Sequence, residues 1–196
     1  MTRAVAAILL TLTVAGCAGA APTRTPGAPA PSGPGSGGPG SSAPAPAGAD
    51  PVDVYAAAIA RYLTGRENSF PGRTFPVVFV LDRLDAAAAD PMTAVGTGPT
   101  SPLTPAQQQR IESVSGTDLT FVPSLDAATT GDSCRLVRDD GVFVALGPAA
   151  PTGTDTAQVA VHGFVACQGA TWFTYVLRRD ATGWTVTGTT GQMAVS

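Results

Sequence analysis

Residues 157–187 read AQVAVHGFVACQGATWFTYVLRRDATGWTVT, and their pattern decides the fold. Three β-rich stretches, 157–167, 171–178 and 184–187, are separated by turn signals at Gln168-Gly169 and at Asp180-Ala181-Thr182-Gly183. Connections that short join neighbouring antiparallel strands, because Gly and Asp tolerate the backbone conformations that reverse a chain. The stretch therefore predicts a three-stranded antiparallel meander. Side chains alternate across a strand, which places Phe173, Tyr175 and Leu177 together on a core face. The same rule groups His162 with Gln158 and Ala160, opposite Val159, Val161 and Val165, and predicts a histidine on a polar face.

Working towards the N-terminus, residues 142–146 form another β-rich run, closed by Gly147-Pro148, and Leu119 and Phe121 alternate in a short strand. Asp139-Asp140-Gly141 reads as a solvated hairpin turn. Thr104-Pro105-Ala106-Gln107 is a capping box with proline at the first helical position, opening a short helix that ends at Gly116. Residues 75–81 are almost continuously apolar or β-branched, as in a strand covered on both faces. Asp50-Pro51-Val52-Asp53 opens an earlier helix, in which Val52, Tyr55, Ile59 and Leu63 recur at helical spacing with Ala56 and Tyr62 beside them; Gly65 ends it.

The order is thus helix, strand, helix, strand, then four strands. This is an α+β arrangement, two helices packed on one face of a curved, mostly antiparallel sheet of about five to six strands. In outline it is similar to the cystatin-like and nuclear-transport-factor-like cone folds. The closing segments, residues 171–177 and 184–191, also resemble a group of small secreted actinobacterial proteins of unknown function, a resemblance that implies no activity.

The first 17 residues have the three parts of an export signal: one positive charge at Arg3, an apolar run over 4–14, then small residues. The run is about 11 residues, roughly half of what spans a bilayer as a helix. Val14-Ala15-Gly16-Cys17 resembles the lipobox of bacterial lipoproteins. That resemblance implies a diacylglyceryl group (palmitate-type chains) on the Cys17 thiol and cleavage just before it. The expected location is then the outer face of the cell membrane. Between residues 18 and 49 every residue is Ala, Gly, Pro or Ser except Thr23, Arg24 and Thr25, so nothing offsets the entropy of ordering the backbone. The expected organisation is a lipoprotein signal peptide over 1–16, a lipidated N-terminus and disordered linker over 17–49, and a single α+β domain over 50–196. Such a linker reaches roughly 30 Å as a coil and about 100 Å when extended.

Charge and composition narrow the chemistry. The chain carries −3 overall, but all 14 acids lie at or after Asp50 with only nine of the 11 basic residues, so the domain carries −5. A surface of that sign disfavours nucleic acid and anionic head groups, leaving the lipid as the expected membrane attachment. The chain has no lysine, which excludes a phosphate-binding GKS/GKT loop, a Schiff-base lysine and a Ser-x-x-Lys acylation site. Residues 35–40 match G-x-G-x-x-G, but with no strand before and no helix after they are not a nucleotide site.

Cys134 and Cys167 are the cysteines left for a disulfide in an oxidising compartment. They fit no zinc spacing, and no metal or cofactor is expected. His162 is the sole histidine, and without a G-x-S-x-G elbow no catalytic residue is assigned. Asp82 and Asp85 close the 75–81 strand; Asp82 is expected to pair with Arg83 or Arg135. Trp172, Tyr175 and Trp184 are the candidate ligand-binding residues, since a curved sheet would let the aromatic side chains line an apolar cleft for a lipid or glycan. The leading functional expectation is a non-catalytic module that binds an envelope ligand or protein. The alternatives are a carboxylate-dependent hydrolase of the cell-wall zone, with Asp82 as first suspect, and a structural accessory of an envelope complex.

Overall fold

The computed structural model describes residues 51–196 other than 69, 71, 132 and 133. Cys17, the signal segment, the linker and the Asp50 cap lie outside the described residues. Helix α1 spans Pro51–Thr64 and ends where the Gly65 N–H donates to the Arg61 carbonyl at 2.7 Å. Strand β1 (Val77–Leu81) follows, then a small antiparallel ribbon of β2 (Arg83–Asp85) and β3 (Thr100–Pro102). Helix α2 (Pro105–Ser115) has the expected capping box: Thr104 Oγ1 accepts from the Gln107 N–H, and Gln107 Oε1 accepts from the Thr104 N–H at 2.9 Å. It ends at Gly116, whose φ of +66° suits glycine. The rest is β4 (Leu119–Val122), a one-turn α3 (Leu125–Ala128), then β5 (Gly141–Leu146), β6 (Ala150–Gly153), β7 (Thr156–Phe164), β8 (Ala170–Asp180) and β9 (Gly183–Val195).

These strands form a seven-stranded sheet in the order β4-β1-β5-β7-β8-β9, with β6 also paired to β7. The meander β7-β8-β9 is antiparallel as the sequence implies. β1 instead runs parallel to both β4 and β5, so the sheet is mixed, and mostly antiparallel only because the larger C-terminal part is. The Asp139-Asp140-Gly141 turn is therefore not a hairpin: it feeds β5, whose sheet neighbours are β1 and β7. β9 is an edge strand of 13 residues, interrupted by register shifts against β8 that break the regularity of its free edge.

Alternation gives the sheet two apolar faces. One carries Val78, Val80, Val144, Val161, Phe173, Tyr175 and Leu177 against Val52, Tyr55, Ile59 and Tyr62 of α1 and Ile111 of α2. The helix comes close because β7 carries Gly163 there. A Cβ at that position would meet Tyr62 Oη and Cζ far inside contact distance, and Cε2 at 2.8 Å. Tyr62 Oη shares a 3.1 Å hydrogen bond with Thr171 Oγ1 across the same gap. The opposite face carries Phe79, Leu81, Phe143, Ala145, Phe164 and Ala170, covered by Val122, Ala128 and Leu136, with Val95, Leu125 and Trp172 at its margin. Both faces of β7 and β8 are thus apolar over part of their length.

Cys134 and Cys167 form a disulfide, with Cα atoms 4.8 Å apart. It fastens the segment before β5 to the β7–β8 turn, where Arg135 and Ala166 also form an isolated bridge. No helix among the described residues is long and apolar enough to cross a membrane.

Candidate functional site

The second face does not close completely. A cleft of about 580 Å³ lies between β7 and β8 on one side, residues 91–97 on another, and the start of α3 on a third. Its sheet side is His162, Phe164, Ala170 and Trp172; its walls include Pro91, Ala94, Val95, Leu125 and Asp126.

The loop wall is held by Asp85, the partner of Asp82 in the sequence and the one given no role there. Asp85 ends β2 fully buried, with no other charge to neutralise it in an ion pair among the described contacts. Its two carboxylate oxygens serve the backbone instead. Oδ1 accepts from the Ala87 N–H at 2.9 Å, and Oδ2 accepts from the Gly96 N–H at 2.6 Å. Gly96 has φ +78°, a conformation that glycine adopts without strain. One buried side chain thereby folds the loop of residues 86–99 back over the sheet. Asp82, the acid singled out from the sequence, takes the expected structural role: it accepts from Arg83 Nε at 2.7 Å and does not line the cleft.

The cleft's hydroxyls are mostly committed. Thr93 Oγ1 donates to Asp90, Thr97 Oγ1 to the Ala94 carbonyl, and Ser196 Oγ to the Cys167 carbonyl. Ser124 Oγ accepts from the Ala127 N–H as the cap of α3. His162 Nε2 and Trp172 Nε1, like Trp184 Nε1 away from this cleft, are closed off from solvent and have no hydrogen-bond partner among the described residues. The His162 and Trp172 rings sit side by side, centroids 4.9 Å apart and tilted by 56°, and Phe143 meets the imidazole edge-on at 6.3 Å.

His162 is therefore not the polar-face histidine that alternation suggested. It does share a face with Gln158 and Ala160, but that face changes character along the strand and becomes apolar where residues 86–99 cover it. Only 6% of His162 remains exposed. Burial pushes its pKa down to about 4, against the opposing pull of the Asp85 carboxylate. At neutral pH the ring is uncharged, one nitrogen a donor and the other an acceptor.

The other candidate aromatics do not join Trp172. Tyr175 lies on the α1 face, fully buried and edge-on to Phe173 at 4.8 Å, and burial raises its hydroxyl pKa well above the ordinary value. Trp184, half-buried on β9, lines a smaller cleft of about 350 Å³ with Asp53, Ala57, Arg110 and Val114. The three do not form one site. Phe173 and Leu177 are core, as expected.

Chemically the larger cleft offers mainly apolar walls, the rings of His162 and Trp172, and a single lining carboxylate, Asp126. Paired acid catalysis needs two carboxyls facing one another across a substrate, which this lining does not supply. What the α+β fold defines here is a sheet with one face closed by helices and the other opened into a pocket. Comparison with protein-family models, with curated proteins and with solved structures finds no match to this chain.

Proposed function

We propose that this chain is a lipid-anchored, extracytoplasmic binding module whose ligand occupies the cleft over His162 and Trp172. The observation that carries the reading is the apolar cleft of about 580 Å³, with His162, Phe164, Ala170 and Trp172 on its sheet side. The cleft volume falls within the range of small-molecule sites, and its lining has their usual composition, mainly apolar with few polar groups.

The anchoring part of the reading rests on the lipobox-like residues 14–17 and on the negative charge of residues 50–196, which makes electrostatic adhesion unfavourable. Two acyl chains suffice for stable attachment, where one gives only reversible binding.

Two measurements test it. Full-length chain extracted from membranes is expected to carry a small molecule detectable by mass spectrometry, and Ala94→Trp, which fills the cleft from an exposed wall position, is expected to lose it. The same molecule at equal occupancy in both proteins would place the ligand elsewhere. Cys17→Ala is expected to leave the membrane fraction; retention there would refute the anchor.

A further inference from the structure

We infer that the cleft continues past Pro91 into a polar groove, and that the two together hold a lipid whose hydroxyl-rich head carries no negative charge, as in a neutral glycolipid. This rests on the binding reading above and goes further by fixing the class of head group and where it lies.

Pro91 joins the two cavities. It lines the cleft on one side and, on the other, a groove of about 350 Å³ between residues 89–91 and the paired strands β8 and β9. Trp172 of the cleft and Thr174 of the groove are two residues apart on β8 and so share one sheet face. A straight strand presents every second residue to a face, yet five consecutive residues of β9, 190–194, line the groove. The cause is a bulge: the pairing with β8 shifts register between Thr190 and Ala194, where Gly191 has φ +75°. Bulges re-aim side chains in this way and recur beside binding sites.

The two cavities differ in chemistry. The cleft meets a ligand with Val95, Leu125 and Phe164, which suits a hydrocarbon chain. The groove offers the hydroxyls of Thr174 and Thr190 and the amide of Gln192, groups that both donate and accept. Earlier on β9, the Thr185 and Thr187 hydroxyls donate to the Arg178 and Val176 carbonyls. The side chains of Thr174, Thr190 and Gln192 have no such partner among the described residues. A sugar hydroxyl likewise donates and accepts, so it matches each of them. Charge completes the selection: Asp126 lines the cleft and Asp90 the groove, and no lysine or arginine lines either. A phosphate or carboxylate head would lose water here and gain no counter-charge.

The test uses full-length chain labelled with 15N-tryptophan at neutral pH, with three probes of one chain length: octyl β-D-glucoside, octyl sulfate and octan-1-ol. The Trp184 indole signal, from a separate cavity, is the internal control. Octyl glucoside is expected to shift the Trp172 indole signal saturably, about tenfold or more tightly than octyl sulfate, and to leave Trp184 unmoved. The double variant Thr190→Val, Gln192→Ala changes two exposed positions. It is expected to weaken octyl glucoside about fivefold or more, the worth of one to two neutral hydrogen bonds, and to leave octan-1-ol within about twofold. Octyl sulfate binding as tightly as the glucoside overturns the charge selection. A double variant that weakens both neutral probes alike, or neither, overturns the seat of the head. If Ala94→Trp abolishes octan-1-ol binding in either case, the cleft remains a binding site and only the head-group inference falls. If no probe moves the Trp172 signal, both readings fall.

Discussion

Lowering the pH should destabilise this protein through a single histidine. The folded-state pKa of His162 is about 4 because burial penalises its charged form, against an ordinary value of 6.5. Its native state therefore holds the neutral ring, and the unfolded chain takes up the proton first. The resulting stability is fully present above the unfolded value of 6.5 and is lost as pH falls from there towards about 4. A difference of roughly 2.5 units at about 1.36 kcal/mol each amounts to about 3 kcal/mol. That is a large share of the ~5–15 kcal/mol typical of a domain. His162 is the chain's one histidine and dominates the upper part of this window; Glu67, whose burial is outweighed by hydrogen bonds to Arg61 and to the backbone so that it titrates below its ordinary value, adds a loss at the acid end. Asp90 and Asp180 titrate below their ordinary values: the Met92 N–H with the Thr93 hydroxyl, and the Thr182 hydroxyl with its N–H, hold their charged forms. Urea unfolding at a series of pH values between 7.5 and 4.5 is the assay, with His162→Phe as comparison, a ring of similar size set against Phe143 and Trp172. Wild type is expected to lose about 3 kcal/mol more than the variant on acidification. Coincident slopes for the two proteins would refute the buried neutral histidine.

Three further outcomes follow from the packing. Gly163→Ala drives a methyl into the Tyr62 ring and is expected to cost about 3 kcal/mol in urea unfolding, with part recovered when Tyr62 is also shortened to Leu. Asp85→Asn turns an amide donor towards one of two backbone N–H groups; it is expected to cost about 1–3 kcal/mol and to raise hydrogen exchange across residues 86–99, which unchanged protection there would contradict. Reducing the Cys134–Cys167 disulfide frees a loop of about 34 residues, an expected loss of roughly 3–4 kcal/mol, read as the difference in unfolding midpoint with and without reductant.

Local signals made much of the fold legible. The meander follows from strand alternation and two short turns, α2 from the Thr104–Gln107 capping box, and the doubly covered β1 from its unbroken apolar run. The parallel pairing of β1 with β4 and β5 was not legible, since nothing in a strand's own residues states which distant strand lies beside it. The same is true of the cleft. Its outer wall is a loop rich in Ala, Thr, Gly and Pro, closed at its ends by the β2–β3 ladder and held within by the Asp85 carboxylate reaching to Gly96, 11 residues away. Alternation assigned His162 to its face, yet it could not show that this loop turns a polar face into a buried one. A curved sheet would let Tyr175 and Trp184 join Trp172 in one cleft; the pleat and the hairpin place them on other surfaces.

The most direct test of the cleft's role is a crystal structure of full-length chain purified from membranes without exchange of its bound contents. The account predicts a compact non-protein density over His162 and Trp172, between the sheet and residues 91–97. A cleft holding only water, or closed by residues 86–99, would contradict it.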